Sequence, residues 1–387
     1  MIRSRLIKVF CTAGIAALAS VALANDRDQA QRMYSRLAAT PPTADMLDTL
    51  ETLVSGGQLE QAARLATEQD GFYNVTLKNM ITPWTNEAGD VFAPLNDYTA
   101  TVIGIVRDDA DFRQILHGDI LYVSNASGLP APSASNNDHY AQLEQQHLSL
   151  RDTLQATSQS AVYGLQSPAT AGVMTTRAAA KAFFVAGTNR AMLRFTLMNH
   201  LCNDLEQLKD LTRPSDRIRQ DVSRSPGGDS RIFLNSCIGC HNGMDPLAQA
   251  FAYYNWSGEE GTEAGELVYT PGVVQPKYLI NANNFPHGFV TEDDRWDNYW
   301  REGPNANLGW GAGSGSGNGA KSMGQELANS RAFASCQAQK VFRTVCLRTP
   351  HSPADVSQVE NMTDNFTSNN YQLRELFVDA AVYCRGD

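Results

Sequence analysis

Two cysteines and a histidine at a fixed spacing, Cys237, Cys240 and His241, are the residues of this chain whose types support the most specific chemistry. A Cys-x-x-Cys-His sequence is the attachment motif of c-type haem. The two thiols form thioether bonds to the haem vinyl groups, and the adjacent imidazole binds the iron from one side. The motif therefore predicts one covalently bound haem c, held by Cys237 and Cys240, with His241 as an iron ligand.

Two other interpretations of the motif are a redox-active Cys-x-x-Cys followed by a chance histidine, and half of a zinc site. The chain has no second Cys-x-x-Cys and no His-x3–5-His pair, so the spacing argues against zinc. A thioredoxin-like site would need a βαβ pattern around it, and the sequence shows none.

The N-terminus predicts the compartment. Arg3, Arg5 and Lys8 precede an apolar run from Val9 to Ala22, which ends in a small-residue cleavage pattern at 22–24. The run is short for a membrane anchor and a polar, charged segment follows it. We therefore expect residues 1–24 to be a cleaved signal peptide and the protein to be periplasmic or secreted in a bacterium. Covalent haem attachment takes place outside the cytoplasm, which agrees with the predicted export.

The charge balance limits the partners. The chain has 31 basic and 41 acidic side chains and a net charge of −10. This balance argues against binding to nucleic acid or to an anionic membrane surface. No segment after the signal peptide is apolar and long enough to span a bilayer, and the expected partner is an exported redox protein.

Cysteine counting predicts disulfides. Of the seven cysteines, Cys11 lies in the signal peptide and two belong to the haem motif. The remaining four are an even number in an oxidising compartment, which favours two disulfides over four free thiols. Cys336 and Cys346 lie ten residues apart on one predicted helix, about 15 Å of rise, so they cannot pair with each other. We favour the pairs Cys346–Cys384 and Cys202–Cys336.

The hydrophobic pattern predicts a mainly α protein, with a helical N-terminal region and a cytochrome c-like haem region that has long loops. We expect a helical N-terminal domain over 25–165, a haem-binding region over 166–325 and a C-terminal helical region over 326–387. The predicted helices cover 26–39, 43–54, 58–66, 140–154, 175–208, 330–347, 353–366 and 371–382.

Near the motif, a short helix from Arg231 to Ser236 is expected to deliver Cys237. Asp245-Pro246 is expected to start a separate helix over 247–254, since an acidic N-cap followed by proline is a common helix start. A short hairpin is expected within 268–280.

Two resemblances extend this interpretation. The segment from Ile232 to His241, with an aromatic residue four positions before the first cysteine, resembles the start of class I cytochromes c. A wider resemblance links the chain to the planctomycete-type cytochrome-c-like proteins, which are built from tandem domains of unknown function. The matching motifs are Gly172-Val-Met-Thr-Thr, Leu201-Cys202, the segment from Cys240 to Leu247 and the segment from Ala332 to Cys336. This second resemblance implies an exported, haem-bearing protein and supplies no substrate.

The sixth iron ligand decides the function. A methionine gives a closed, high-potential electron-transfer iron, a second histidine lowers the potential, and an empty position gives an enzyme or a gas binder. Met323 is the first candidate, because Lys321-Ser322-Met323-Gly324 follows a flexible loop and resembles the ligand loop of class I cytochromes. His287 is the second candidate, and Met244 is too close to His241 in sequence to reach the opposite face.

We therefore expect an exported monohaem c-type cytochrome that transfers electrons. One alternative is a haem enzyme of the peroxidase or oxidase kind with an open sixth position, for which Arg295 or Arg301 could act on the distal side. The other alternative is a non-haem binding protein in which Cys237 and Cys240 form a disulfide.

Overall fold

The computed structural model of the chain describes residues 24–185, 189–259, 262–280, 282–283 and 285–386. The predicted signal peptide up to residue 23, with Cys11, lies outside the described residues. The described chain is mostly helical, which confirms the mainly α class. It contains 17 α-helices: α1 Asp26–Ala38, α2 Ala44–Ser55, α3 Leu59–Thr67, α4 Lys78–Ile81, α5 Asp97–Arg107, α6 Gln114–His117, α7 Asp138–Gln145, α8 Leu150–Thr153, α9 Gln159–Tyr163, α10 Arg177–Phe183, α11 Arg190–Thr196, α12 Ser230–Ile232, α13 Ile238–Ala248, α14 Gly319–Ala328, α15 Arg331–Cys346, α16 Pro353–Ser368 and α17 Leu373–Tyr383.

The strands are few and short. Three antiparallel pairs are present among the described residues: β1 Leu121–Ser124 with β2 Leu154–Thr157, β3 Tyr254–Trp256 with β4 Leu267–Tyr269, and β5 Arg295–Asp297 with β6 Ser316–Asn318. Two-stranded ribbons bury too little surface to be stable alone, so the helices must hold them in place.

The terminal helices form where the sequence predicts them, because their ends carry clear signals. Asn25 caps α1, Thr43 caps α2, and Ser330 caps α15 through a side-chain oxygen that accepts a backbone N–H. Ser352 and Asp355 form a reciprocal capping box at the start of α16. The amphipathic pattern between these caps then fixes which face of each helix is buried.

One large hydrophobic core joins the beginning and the end of the chain. Helix α1 packs on α2, α3, α15 and α17, and α17 also packs on α3. Helix α5 runs through this core with every residue from Asp97 to Val106 buried. A helix that is buried all round lacks an amphipathic stripe, so the sequence pattern does not mark it.

A second, much smaller apolar cluster lies apart from the main core. Its buried members are Ile218, Val222 and Phe233, and Cys237, Ile238 and Phe285 pack against it partly exposed. We call it the Phe233 cluster. It belongs to the region that carries the Cys-x-x-Cys-His motif.

The two favoured disulfides are confirmed. Cys202 is bonded to Cys336 with a Cα–Cα distance of 5.2 Å, and Cys346 is bonded to Cys384 with a Cα–Cα distance of 5.4 Å. Cys336 and Cys346 both lie on α15, so the argument from helical rise holds.

Four local predictions were wrong. The predicted helix over 140–154 is interrupted, because α7 ends at Gln145 and only the single turn of α8 precedes strand β2. Asp245 and Pro246 lie inside α13 instead of starting a helix, because the helical segment already begins at the Asp229 cap and the Asp245 carboxylate binds other groups. The predicted helix over 175–208 breaks into α10, α11 and a π-helical turn that ends at Cys202, whose φ of 55° stops it.

The fourth wrong prediction is the hairpin within 268–280. Strand β4 pairs instead with β3, and residues Pro276–Tyr278 form a 3₁₀ turn. Pro271 and Pro276 lack the N–H that a second ladder strand would need to donate.

No helix within the described ranges is both long and apolar enough to cross a membrane.

Candidate functional site

The Cys-x-x-Cys-His motif lies on one continuous helical segment from Ser230 to Ala248. Asp229 caps its start, a π-helical turn covers Phe233–Cys237, and α13 continues from Ile238. Residues three and four apart on a helix share a face, so this geometry places Cys237 on the same side as Cys240 and His241. A π-helical turn inserts one residue into an α-helix and is common at functional sites.

Two glycines allow neighbouring side chains to pack closely against this helix. A Cβ atom at Gly243 would lie 2.1 Å from the indole nitrogen of Trp300, and one at Gly239 would lie 2.6 Å from the Lys209 stem. A larger residue at position 243 would clash with the buried Trp300 ring and displace α13, whereas one at position 239 would have to displace the Lys209 side chain. The glycines therefore fix the position of the motif helix.

Cys237 and Cys240 are both free thiols, whereas the other four cysteines of the described chain form disulfides. Both side chains are half-buried, and the Cys240 thiol donates a hydrogen bond to the Leu205 carbonyl oxygen at 3.5 Å. Burial raises the pKa of the Cys240 thiol. Burial therefore disfavours a reactive thiolate at Cys240.

Across the described chain, no group of three or more His, Cys, Asp or Glu side chains is arranged to hold a metal ion.

The His241 ring is oriented by a carboxylate one turn further along the helix. Its Nδ1 atom lies 3.1 Å from each carboxylate oxygen of Asp245. A carboxylate only accepts hydrogen bonds, so Nδ1 carries a proton and Nε2 is the nitrogen left to bind a metal. The imidazole side chain is 18% exposed.

Asp245 is fully buried and ionised. Burial alone would raise the pKa of its carboxyl, but the positive charge of Arg190, assisted by two further basic groups, outweighs burial and holds that pKa well below its usual range. Arg190 Nε donates to Asp245 Oδ1 at 2.7 Å. An ionised carboxylate on Nδ1 makes the imidazole a stronger electron donor to a metal bound at Nε2.

The charges around Asp245 are balanced in a small buried network. Arg190 also makes two hydrogen bonds of 3.0 Å to the buried Asp221. Arg219, which is completely buried, donates from Nε to Asp221 at 3.3 Å and from its backbone N–H to Asp245 at 3.4 Å. Two guanidinium groups thus face two carboxylates directly behind the His241 ring.

The other side of the His241 ring faces the Phe233 cluster. The Phe233 ring centroid lies 5.9 Å from that of His241. The Arg224 guanidinium stacks on Phe233 at 4.8 Å and on Phe285 at 3.9 Å, measured to the ring centroids. Its Nε is buried without a hydrogen-bond partner.

Two apolar side chains beside the motif are left in solvent. Ile232 is 46% exposed and Leu234 is 53% exposed, although both lie on the helical segment that carries Cys237. Two free thiols, an imidazole with a free Nε2, exposed aliphatic groups and a cation together match the donor set, the apolar face and the anionic edge of a haem. The residues present therefore fit this cofactor.

The two candidate sixth ligands lie in different environments. Met323 is completely buried in α14 as part of the main hydrophobic core. His287 is exposed in a turn that starts at Phe285, a member of the Phe233 cluster. That turn closes with a hydrogen bond from Gly288 N–H to the Phe285 carbonyl, and the Phe289 N–H donates to the Ile218 carbonyl at 2.8 Å. The structure thus ties the His287 segment, and not Met323, to the cluster that surrounds Cys237.

Arg301 and Arg295, the two arginines considered for the distal side of a haem, lie in different environments. Arg301 makes two 2.7 Å hydrogen bonds to Glu326 and is engaged by that carboxylate. Arg295 has a side chain that is 60% exposed and lies 3.7 Å from Asp297.

Sequence reasoning missed Asp245 and Arg190 as site residues. The histidine–aspartate spacing of four within a predicted helix could have found Asp245, since such residues are neighbours on one helix face. No local pattern marks Arg190, which reaches the site from α11.

Comparisons of the chain with protein families, with curated proteins and with solved structures find no match.

Proposed function

We propose that this chain is an exported monohaem c-type cytochrome that transfers electrons to or from an exported redox partner. Haem would be attached through thioether bonds to Cys237 and Cys240, with His241 as one axial ligand. The observation that carries this proposal is the selective pairing of cysteines: four of them are in disulfides, while the two of the motif stay free beside an imidazole with an available Nε2. The kinship with planctomycete-type cytochrome-c-like proteins, suggested by the motifs, is part of the same proposal.

A bound haem supplies a one-electron Fe(III)/Fe(II) couple, and the chain determines its environment. His241 donates a lone pair from Nε2, and Asp245 strengthens that donation through Nδ1. The Phe233 cluster and the exposed Ile232 and Leu234 offer apolar surface that excludes water from the ring. The two disulfides support the proposed export, since such bonds persist in oxidising compartments.

The sixth ligand remains part of the proposal. Met323 is the first candidate by its sequence context, but His287 is supported by the attachment of its turn to the Phe233 cluster. Ligation by His287 would agree with the strong donor pair His241–Asp245, because both lower the reduction potential.

A haem enzyme with an open sixth position is the second candidate function. The observation that favours it is the carboxylate on His241 Nδ1, since a strongly donating axial ligand stabilises oxidised iron. This role would require that neither Met323 nor His287 binds the iron.

The test is the absorption spectrum of the protein exported together with the haem-attachment machinery. Haem that stays bound after denaturation supports attachment at Cys237 and Cys240, and its absence overturns both haem functions. The native ferric spectrum then separates the two. A low-spin iron that loses this state in His287→Ala or in Met323→Ala supports the electron carrier. A high-spin iron that binds carbon monoxide or peroxide in the unaltered protein supports the enzyme.

A further inference from the structure

Arg224 is a cation beside the motif that the proposed function has not used. It follows the segment 217–221 that supplies Arg219 and Asp221 to the buried network. Its guanidinium lies between two aromatic rings, Phe285 at 3.9 Å and Phe233 at 4.8 Å. The second of these rings also touches His241.

Arg224 has no anionic partner within the described chain. No carboxylate there forms an ion pair with it, and its Nε is buried without a hydrogen bond. Burial lowers the pKa of the guanidinium, which is the sign of a desolvated charge without compensation. The aromatic faces recover part of this cost, but a planar guanidinium keeps several N–H donors that they cannot satisfy.

The nearby acidic groups cannot serve as that partner. Asp221 and Asp245 are both bound by Arg190 and Arg219 in a network of two cations and two anions. Arg224 is therefore a positive charge outside this balanced network, and no charged neighbour contributes to the shift of its pKa. Such a charge fits an anion that binds at this place.

We propose that Arg224 binds a propionate carboxylate of the haem. This inference rests on the proposed function, and it names the group that orients the edge of the cofactor opposite the thioether bonds. A haem carries its vinyl groups on one half of the ring and two propionates on the other, so attachment at Cys237 and Cys240 leaves the anionic edge to be held elsewhere. Arginine suits this role because its planar fork matches a carboxylate in a bidentate way. Phe233 and Phe285 hold the fork in place.

The test compares Arg224→Gln and Arg224→Lys with Arg231→Gln in the holoprotein. Arg231 is a matched control, because it lies seven residues away beside the same motif and its side chain is 82% exposed. The primary readout is the propionate bending band in the low-frequency resonance Raman spectrum, which reports hydrogen bonds to these carboxylates. The second readout is the ferric-to-ferrous ratio at a fixed ambient potential.

We expect Arg224→Gln to shift the bending band and to raise the ferric-to-ferrous ratio roughly three- to tenfold, because an uncompensated propionate stabilises Fe(III). Arg224→Lys keeps the charge but loses the fork, so it should shift the band with a smaller change in the ratio. Arg231→Gln should change neither. If Arg224→Gln fails to accumulate as holoprotein, the propionate bending band of Arg224→Lys alone tests the proposal.

An unshifted band in the Arg224 variants would overturn the proposal, even if the ratio changes, since a ratio change alone reports only a lost charge. A shift of equal size in Arg231→Gln would overturn it as well, because the effect would then not be local. These outcomes differ from a failure of the proposed function, which appears earlier as an unaltered protein without haem after denaturation.

Discussion

The disulfide-bonded helical core and the motif region satisfy their interactions in opposite ways. The core buries its apolar faces in one continuous cluster and pairs all four of its cysteines. The motif region keeps two free thiols, a cation without an anion, and the aliphatic side chains of Ile232 and Leu234 in solvent. The first region therefore satisfies its cysteines internally, whereas the second leaves two thiols unbonded and a guanidinium without an anionic partner among the described residues.

The comparison also concerns charge. In the motif region a compact network of two arginines and two aspartates lies directly behind His241. In the core, by contrast, the most deeply buried basic group is neutral: His200 accepts or donates one hydrogen bond with Tyr98 at 2.8 Å and has no carboxylate beside it in the described contacts. Buried charges elsewhere in the described chain occur in separate pairs, such as Arg348 with Asp355 and Arg301 with Glu326, and not in a four-member network.

The largest effect should come from removing the two thiols. In Cys237→Ala/Cys240→Ala, we expect complete loss of covalently attached haem, with the helical circular dichroism of the chain largely retained, because the core does not depend on these residues. Haem staining of the denatured protein and far-ultraviolet circular dichroism measure the two parts. Attached haem in the double variant would contradict the proposed site.

The second prediction concerns the buried network. Asp245→Asn removes the carboxylate that binds both Arg190 and His241, and we expect a loss of about 3–5 kcal/mol in the free energy of unfolding, because the two buried guanidinium groups then share the single carboxylate of Asp221. The midpoint potential should rise, since His241 becomes a weaker donor. Urea unfolding and a redox titration measure these changes.

Asp229→Asn is the control for this prediction. It removes an exposed carboxylate beside the same helix and keeps a capping side chain, so stability and potential should stay close to those of the unaltered protein. Equal effects of the two substitutions would show that Asp245 has no special role.

The third prediction is the converse of the first. Removal of the Cys346–Cys384 bond in Cys346→Ser/Cys384→Ser opens a loop with a sequence separation of 38 and should cost about 4 kcal/mol of stability by the loop-closure estimate. Haem content should not change, because the bond lies in the core and not at the motif. Urea unfolding together with haem quantification tests this, and a loss of haem equal to that of the thiol variant would remove the distinction between the two regions.

The fourth and smallest effect is a pH dependence located in the core. Burial lowers the pKa of His200 from 6.5 to about 3, and the positive charge of Lys340 acts in the same direction. The unfolded chain therefore binds a proton below pH 6.5 that the folded chain does not accept until about pH 3, and stability falls as the pH is lowered through this window.

His200→Gln should remove this contribution. Between pH 6 and 4, the unfolding free energy of the unaltered protein should decrease by about 1.4 kcal/mol per pH unit more than that of the variant. Urea unfolding at the two pH values measures the difference. Parallel pH dependences would show that His200 is protonated in the folded chain.

The sequence predicted the core better than the motif region, and the reason is physical. Helices α1, α2 and α16 have capping residues and amphipathic faces, and these local signals predict a helix from the sequence alone. The two disulfides were predicted from the even number of remaining cysteines and from the helical rise that separates Cys336 from Cys346 on α15. Helix α5 was not predicted from the sequence, because it is buried on every side and no polar face marks it.

In the motif region, the spacing of Cys237, Cys240 and His241 marked them as candidate site residues in the sequence, and the structure places all three on one helical segment. Asp245 was misread as a helix cap, because an Asp-Pro pair has the same local pattern inside a helix as at its start. Arg190 and Arg224 come from segments far from or outside the motif helix, and only the tertiary structure brings them to it.

The contact between Cys240 and Leu205 has a consequence for the order of biogenesis. Leu205 lies three residues after Cys202, so the segment that rests on the Cys240 thiol is the one anchored by the bond to Cys336. An attachment enzyme needs both motif thiols uncovered, and the finished fold leaves each of them half-buried. We therefore expect the proposed haem attachment to take place on a chain whose Cys202 is still reduced, with closure of the Cys202–Cys336 bond as the later step.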